Sequence, residues 1–225
     1  MTGRSFAITG AFGVLGQAVA NAAAAAGEKV ALIDVAPSGP GPDGAFVRGG
    51  VDLTDAGAAN AAIDAVAAEF GGLDVLVNVA GGFAWETVSE GDPATFDRLY
   101  TLNTRTCLNA SRAAIPHLSA STAGRIVNVG AFGALKAAAG MGAYAASKSG
   151  VHRLTEALAE ELKGRVTVNA VLPSIIDTPA NRADMPKAKF DTWVRPEELA
   201  AVILFLGSES ASAVTGALLP VIGRV

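Results

Sequence analysis

The stretch AITGAFGVLGQAVA, residues 7–20, decides the fold, because three glycines follow a short apolar run and open a helical segment. The spacing predicts a tight turn at Gly10, close approach of a phosphate-bearing ligand at Gly13, and packing of the helix on the strand at Gly16. Phe12, Val14 and Leu15 complete this predicted binding loop. Simple packing of small residues remains the alternative, since the chain has 26 glycines.

Outside this loop, short apolar runs alternate with longer Ala-rich segments. The alternation predicts an α/β fold: a single-domain Rossmann fold over residues 1–225, with a doubly wound parallel sheet of about seven strands and helices on both faces. The predicted strands are SFAITG, KVALIDV, AFVRGGVD, LDVLVNVAG, GRIVNVGA, RVTVNAVLP and ALLPVIG. The predicted helical segments are 14–26, 56–70, 94–120, 143–163 and 196–207.

Two irregular stretches interrupt this pattern. Residues 36–44, APSGPGPDG, are predicted to connect strand 2 to strand 3 within one sheet. Residues 177–196, DTPANRADMPKAKFDTWVRP, are longer than an ordinary connection, and this length is typical of a lid or substrate loop.

Composition excludes several classes of protein. Hydrophobic residues make up 51% and charged residues 17% of the 225-residue chain, so intrinsic disorder is excluded. A net charge of -4 gives no basic surface for nucleic acid or an anionic membrane. A single cysteine, Cys107, cannot form an internal disulfide. We therefore expect a soluble, cytoplasmic protein without a membrane segment.

An acidic residue follows the glycine loop at the distance expected for a ribose ligand. Asp34 ends the second apolar run, eighteen residues after Gly16. A carboxylate there accepts hydrogen bonds from ribose hydroxyls and repels a 2′-phosphate, so the sequence predicts binding of NAD(H), with NADP(H) less favoured. Asp52 and Leu53 end the third run; either they border the adenine or Asp52 is an ordinary turn residue.

A possible acid–base pair stands in YAASK, where Tyr144 precedes Lys148 by four residues. This spacing puts both side chains on one helical face. A lysine ammonium beside the phenol would lower the pKa of the tyrosine and make it a workable acid or base. Two unrelated surface residues are the alternative if the pair is taken without the rest of the sequence.

Taken in order along the chain, these motifs resemble those of the short-chain dehydrogenase/reductase family. The motifs that carry the resemblance are TGAFGVLG, LIDV, LDVLVNVAGG, LNTRTCLNASRAAIPHL, GRIVNVGA, YAASKSGVHRLTEALAEEL, VNAVLPSIIDTP and VTGALLPV. The resemblance implies hydride transfer between a nicotinamide and a small-molecule substrate, with Tyr144 as the acid or base. It implies that Lys148 binds the nicotinamide ribose and that Asn103 anchors a water in a proton relay. The alternative for Asn103 is an amide bonded to its own helix.

The same resemblance implies further cofactor contacts. Asn78, Ala80 and Gly81 would border the adenine ribose. Three residues of the LPSIIDTP segment would meet the nicotinamide carboxamide and the phosphates, namely Pro173, Ile176 and Thr178. The chain also departs from the family pattern, because Val14 stands at the usual second glycine position and Gly13 lies one place earlier.

A second departure concerns the substrate. The family's catalytic serine lies about thirteen residues before the tyrosine, and Ala131 stands there. Loss of one such hydrogen-bond donor costs on the order of 10²–10³ in rate. A conjugated acceptor, which spreads the incoming charge, would need the donor less. The alanine, the shifted glycines and the 177–196 loop are similar to the dihydropteridine reductase branch of the family, which implies a quinonoid dihydropterin as one candidate substrate.

Several apolar side chains are placed to border a substrate. Ala131, Trp85, Met141 and Trp193 are the predicted substrate residues, with Met185 and Phe190 in the same lid. Stacking on a flat ring and simple packing of the lid are equally consistent with these residue types. His117 and His152 have no acidic or cysteine partner at ligand spacing, so we predict no metal site.

The sequence therefore predicts an NAD(H)-dependent oxidoreductase acting on a small carbonyl, imine or conjugated acceptor. Two alternatives remain: a 3-oxoacyl-thioester or simple alcohol/ketone reductase, and a dinucleotide-binding sensor or scaffold without chemistry. By analogy with the family, the helical segments 94–120 and 143–163 are expected to pair in a homodimer or homotetramer.

Overall fold

The computed structural model describes residues 3–224, and its centre is one parallel sheet of seven strands. The strands are β1 (Ser5–Thr9), β2 (Lys29–Ile33), β3 (Phe46–Arg48), β4 (Val75–Asn78), β5 (Gly124–Val129), β6 (Val166–Pro173) and β7 (Leu218–Val221). Their order is β3-β2-β1-β4-β5-β6-β7. The connection changes direction between β1 and β4, which is where ligands bind in folds of this type.

Helices cover both faces of the sheet, as predicted. They are α1 (Val14–Ala25), α2 (Ala56–Phe70), α3 (Pro93–Tyr100), α4 (Thr106–Ala120), α5 (Gly142–Glu161), α6 (Pro179–Asp184) and α7 (Pro196–Gly207). Helices α1 and α7 pack on one face, and α2, α4 and α5 pack on the other. Because side chains alternate along a strand, Phe6 and Ile8 enter one apolar cluster while Ala7 enters the other. The single-domain Rossmann fold is confirmed.

The predicted helical segment 94–120 differs from the structure in one respect. Between α3 and α4 the chain makes a wider π turn over Thr101–Arg105, in which the amide of Thr106 donates to the carbonyl of Thr101. Such turns hold one more residue than an α-helical turn and recur at functional sites. Asn103 lies in this turn and is almost fully buried.

The glycine loop depends on two close backbone approaches. Gly10 has φ +61°, and a Cβ there would lie 2.8 Å from the backbone of Ala80 at the end of β4. A Cβ at Gly16 would lie 2.3 Å from the carbonyl oxygen of Gly10. Only glycine lets β1, β4 and the first turn of α1 come this close.

The two irregular stretches are both ordered against the body of the domain. In 36–44, Gly39 packs on the Phe12 ring and the Gln17 side chain donates to the carbonyl of Pro40. The stretch 177–196 contains α6 and a short 3₁₀ turn, Phe190–Thr192. A single parallel bridge between Ile176 and Val194 joins its two ends. In residues 3–224, the helices are all too short or too polar to cross a membrane.

We predict that Gly10→Ala destabilises the protein more than Gly27→Ala. Both glycines have left-handed φ angles, +61° and +80°, so each alanine should cost about 1 kcal/mol. Nothing lies within 4 Å of a Cβ at Gly27, whereas at Gly10 it would overlap Ala80. Urea unfolding should show an additional loss of about 1–3 kcal/mol for Gly10→Ala. Equal losses would contradict the close approach of β1 and β4.

Candidate active site

A cavity of about 1260 Å³ opens at the carboxyl ends of the central strands. It is bordered by the glycine loop, the ends of β2, β4 and β5, the start of α5, and the 177–196 stretch. Most of the predicted site residues line it: Gly10, Phe12, Gly13, Val14, Leu15, Gly16, Asp34, Asp52, Leu53, Ala80, Gly81, Trp85, Ala131, Met141, Tyr144, Lys148, Pro173, Ile176 and Thr178. The fold therefore brings together segments that are far apart in sequence.

One end of the cavity has the features of an anion site. Helix α1 begins beside it, and within residues 3–224 no side chain caps the helix N-terminus at Gly13. The first backbone N–H groups of α1 are thus left for a ligand. A Cβ at Gly13 would approach protein only at the Gly10 carbonyl, at 3.4 Å, so this glycine leaves the loop surface open.

Asp34 joins the glycine loop to the end of β2. One carboxylate oxygen accepts from the amide of Phe12 at 2.9 Å, and the other accepts from the amide of Ala36 at 3.0 Å. Each oxygen keeps a lone pair that can face the cavity. The carboxylate is therefore fixed in position before any ligand binds.

Asp52 fits both interpretations that its sequence position left open. It lines the cavity, and its carboxylate also accepts from the amide of Thr54 at 2.9 Å, as a turn residue does. Hydrogen bonds from the hydroxyl and amide of Thr54 lower the pKa of Asp52. The turn therefore keeps a negative charge at this end of the cavity.

The other end of the cavity is centred on Lys148 of α5. Its ammonium is buried and donates to the carbonyl oxygen of Val129, the last residue of β5, at 2.8 Å. Burial lowers the pKa of Lys148 from 10.5 to about 8. The bond to Val129 ties the start of α5 to the sheet and sets the position of Tyr144 one turn earlier.

Tyr144 lines the cavity with its ring against Phe83. The ring centroids are 4.9 Å apart at an interplanar angle of 77°, an edge-to-face contact. Burial raises the pKa of Tyr144 to about 12. Burial is the cause of this shift, so the expectation that Lys148 lowers the pKa of Tyr144 is not met in the isolated chain.

Asn103 clamps the loop after β4. Its side-chain oxygen accepts from the amide of Gly82 at 2.8 Å, and its NH₂ group donates to the Gly82 carbonyl at 3.0 Å and to Ser147 Oγ at 2.9 Å. A bond to its own helix is thus not the role of this amide. A Cβ at Gly81 would lie 2.5 Å from Asn103 Oδ1 and 3.2 Å from Lys148 Nζ. Asn103, Lys148 and Gly81 therefore meet at one point.

The backbone beside Ala131 is held by a buried histidine. His152, one helical turn after Lys148, accepts from the Ala131 amide through Nε2 at 3.3 Å. Burial, with help from the nearby charges of Arg153 and Lys148, lowers the pKa of His152 to about 4. The ring is therefore neutral at ordinary pH. The Ala131 amide is already bonded to it and does not replace the missing hydroxyl.

Asn103, whose contacts are given above, is not among the residues lining the cavity, and neither are Asn78, Phe190 and Trp193. The Asn78 side chain is buried on the α4 side of the sheet, where its NH₂ group donates to Ser111 Oγ at 3.0 Å and to Asn128 Oδ1 at 2.9 Å. Trp193 is 2% exposed and packs on Phe190, with ring centroids 4.9 Å apart. These placements correct the predicted ribose contact of the Asn78 side chain and the predicted substrate contact of Trp193.

Sequence reasoning missed several residues of the site. Phe83 contacts Tyr144, Ser147 links Asn103 to the carbonyl of Tyr144 at 2.7 Å, and Phe132 lines the cavity. Ser147 could have been found, because it is the polar residue between Tyr144 and Lys148 in the same motif. Phe83 and Phe132 stand in loops, where sequence gives no side-chain direction. No group of three metal-ligating side chains is found in the described part of the chain.

The chain matches a known protein family and is similar to characterised members of it along most of its length. Residues 4–189 match the family model described as short chain dehydrogenase. The chain is similar to the 2-(S)-hydroxypropyl-CoM dehydrogenase 3 of Xanthobacter autotrophicus, with 35% identity over 96% of this chain and 94% of that protein.

Two solved structures are similar along almost the whole chain. The ligand-free aldohexose dehydrogenase of Thermoplasma acidophilum has a TM-score of 0.89 and 28% identity, covering 99% of this chain and 94% of that one. The 3-ketoacyl-(acyl-carrier-protein) reductase of Brucella melitensis, complexed with NADH, has a TM-score of 0.87 and 30% identity, covering 98% and 97%.

We predict that the buried ammonium of Lys148 makes stability depend on pH. Its pKa is about 8 in the fold and 10.5 in the unfolded chain, so the unfolded chain binds more protons between these values. Stability should therefore rise as pH rises through this window. From about pH 7 to about pH 9.5, the free energy of unfolding of the natural protein should increase relative to Lys148→Met by on the order of 1–2 kcal/mol.

Urea unfolding of both proteins at both pH values measures this difference. Lys163→Met, which removes a lysine whose side chain is 71% exposed, is the control for a change of net charge. Parallel pH profiles of the natural protein and Lys148→Met would contradict the burial of a charged Lys148.

Proposed function

The chain belongs to the short-chain dehydrogenase/reductase family, and on this premise we propose that it is an NADH-dependent reductase of a small carbonyl, imine or conjugated acceptor. The observation that carries the proposal is the cavity itself. It joins an open helix N-terminus and an oriented carboxylate at one end to Tyr144 and Lys148 at the other. In folds of this type a dinucleotide binds in the crevice at the carboxyl ends of the strands, and its two ends would meet these two sets of groups.

The residues at the α1 end fit a nicotinamide dinucleotide. The N–H groups at the start of α1 would hold the pyrophosphate, and Gly13 leaves room for it. Asp34 would accept hydrogen bonds from the ribose hydroxyls. When bound, the reduced nicotinamide supplies the hydride. The proton that the reaction also requires would come from the protein side chains.

The preference for NADH over NADPH rests on charge. Asp34 and Asp52 are the charged side chains at the α1 end of the cavity, and both are acidic. A 2′-phosphate beside Asp34 would meet repulsion, with no lysine or arginine among the lining residues there to compensate it. The similar reductase complexed with NADH is consistent with this preference but concerns another protein.

At the other end, Tyr144 acts as the general acid. Its raised pKa keeps the phenol protonated at neutral pH, which is the form that donates a proton to an oxygen or nitrogen gaining negative charge. Lys148 would stabilise the phenolate that remains and hold the nicotinamide ribose. Asn103 fixes the loop of Gly81 and Gly82 around this pair, and a water-borne proton relay through Asn103 remains part of the proposal.

The nature of the acceptor follows from Ala131. No hydroxyl stands at this position to stabilise charge on a substrate oxygen, so an acceptor that delocalises the charge is favoured. A quinonoid dihydropterin is one such compound. The names of the similar proteins support a simple alcohol, ketone or 3-oxoacyl reductase as the second candidate.

A nucleotide sensor without chemistry is the non-enzymatic alternative. Ala131 would suit it, because the usual serine is gone. The joint presence of Tyr144, Lys148 and Asn103 in one buried cluster favours an enzyme instead, since a buried ammonium lowers the stability of the fold and binding of a nucleotide alone does not require one beside a tyrosine.

We predict that Tyr144→Phe lowers kcat for NADH oxidation by about 10²–10⁴-fold, because the proton donor is lost. Tyr100→Phe is the matched control, since Tyr100 is the only other tyrosine, is 44% exposed and is not among the residues lining the cavity. Assays with conjugated and simple ketones, a quinone and a quinonoid dihydropterin measure the effect. If NADH binds but the natural protein turns over none of these acceptors, the sensor is the better description.

We predict that the natural protein binds NADH at least about tenfold more tightly than NADPH, because Asp34 repels the 2′-phosphate. Asp34→Ser should reduce this ratio, because it weakens the binding of NADH and removes the repulsion of the 2′-phosphate of NADPH. Asp43→Ser, in the exposed 36–44 stretch, is the control for a lost negative charge. Titration of both nucleotides by fluorescence measures the six affinities of the three proteins, and an unchanged ratio in Asp34→Ser would contradict the role of Asp34.

A further inference from the structure

The substrate half of the cavity is almost free of charge. We define this half as the lining residues between Gly81 and Met185, which come from the loops after β4 and β5, the π turn, the starts of α4 and α5, the end of β6, and α6. The residues expected to meet the nicotinamide and its ribose are among them. Lys148 is the charged side chain among them, and its ammonium is bonded to the Val129 carbonyl. The charged groups of the lid point elsewhere: Arg182 pairs with Asp177 at 2.6 Å and lies over the Phe190 ring at 4.8 Å.

The polar side chains of this half are mostly committed to the protein. Thr106 donates to the carbonyl of Leu102, Ser174 to that of Ile222, and Asn181 to that of Ile176, all at 2.8 Å or less. The Tyr144 hydroxyl, in contrast, makes no hydrogen bond to any residue in the range 3–224. A substrate with several hydroxyl groups would therefore lose water without gaining partners, whereas one polar acceptor atom facing Tyr144 would be satisfied.

The walls that remain are aromatic and are held in place. Phe83 is 54% exposed and Trp85 is 62% exposed, and both line the cavity, so their rings present apolar surface to a ligand. Trp85 is nevertheless fixed, because its indole N–H donates to the Ala139 carbonyl at 3.1 Å. Gly140 leaves the space that the indole ring fills, since a Cβ there would lie 2.1 Å from the ring.

Phe83 is fixed in a different way. It packs edge-to-face on Tyr144, so the ring that borders the substrate also borders the acid. Met141 and Met185, with flexible and polarisable side chains, line the same half. The half is thus largely apolar and aromatic, with the Tyr144 hydroxyl beside the Phe83 ring.

We infer that the site takes an uncharged substrate in which the reacting group is conjugated to a ring, and that Phe83 selects this ring. The inference rests on the proposed reductase function and narrows its substrate class. It disfavours polyols, sugars and substrates with a carboxylate or sulfonate in the bound portion. Phe83 is a specificity-determining residue, because it contacts the acid and forms the wall against which the ring packs.

A matched pair of aryl ketones tests the charge. para-Acetylphenylacetamide and para-acetylphenylacetate have the same ring and ketone and differ in one charged group. Calorimetric binding to the NAD⁺-loaded protein should favour the amide by about tenfold or more, because Lys148 is bonded to the Val129 carbonyl and would hold the nicotinamide ribose, and no other cationic side chain lines this half to pair with the carboxylate. Equal binding, tighter binding of the acid, or no measurable binding of either compound would overturn the inference.

A second pair of compounds tests the ring and Phe83. The ratio of kcat/KM for acetophenone to that for cyclohexyl methyl ketone should fall about 3- to 10-fold in Phe83→Leu, which matches the energy of one aromatic contact. A purely structural role would lower both values together and leave the ratio unchanged. Phe205→Leu, an exposed phenylalanine on α7, is the control and should keep the natural ratio.

These results also separate the inference from the function on which it rests. If the ketones bind as expected but none is reduced, the reductase function fails while the substrate class stands. If they are reduced but the ratio in Phe83→Leu equals that of the natural protein, the role of Phe83 is wrong while the reductase function stands.

Discussion

The hydrogen bond from the Lys148 ammonium to the Val129 carbonyl organises the carboxyl edge of the sheet. A charge buried to this degree is unfavourable in an apolar interior, so its surroundings have to fix it closely. The loop at Gly81 has no side chain that would displace it, and Asn103 holds that loop through both of its amide atoms. Through α5, the same bond determines where Tyr144 stands relative to the strand ends.

The chemistry of the site depends on which polar groups are hydrogen-bonded within the protein and which remain available to a ligand. The groups around Lys148 are bonded to one another: Asn103 to Ser147, Ser147 to the carbonyl of Tyr144, and His152 to the amide of Ala131. Within residues 3–224, the Tyr144 hydroxyl, the Asp34 carboxylate and the start of α1 keep hydrogen-bonding capacity for a ligand. A site with few free hydrogen-bond donors is selective against polar substrates. Most polar groups of such a substrate would lose their hydrogen bonds to water and gain none from the protein.

The fold could be predicted from the sequence because strand–helix alternation and glycine spacing are local signals. That Tyr144, Lys148 and the glycine loop line one cavity could be predicted for the same reason. The face of Asn78 could also have been found, since Leu76 lies two residues earlier and belongs to the cluster beneath α4. The family resemblance instead predicted that the Asn78 side chain faces the cavity. The two-residue alternation of side chains along a strand predicts its direction better.

Other features could not be derived from the sequence. Trp193 and Phe83 stand in irregular segments, where the direction of a side chain depends on contacts made with distant residues. Trp193 turned inward onto Phe190, while Phe83 turned toward Tyr144. The pKa of Tyr144 likewise depends on burial, which is set by tertiary packing and not by the four-residue spacing to Lys148.

The π turn at Thr101–Arg105 has a consequence for how this segment can diverge among descendants of the chain. Each residue of a helix advances the direction of the next side chain by about 100°. Loss of one residue here would restore an ordinary helix and rotate Asn103 away from Gly82, or else rotate the whole of α4 away from the sheet. Substitutions around the turn keep the side-chain directions, whereas a deletion or insertion of one residue changes them, so the geometry constrains the length of this segment more than its composition.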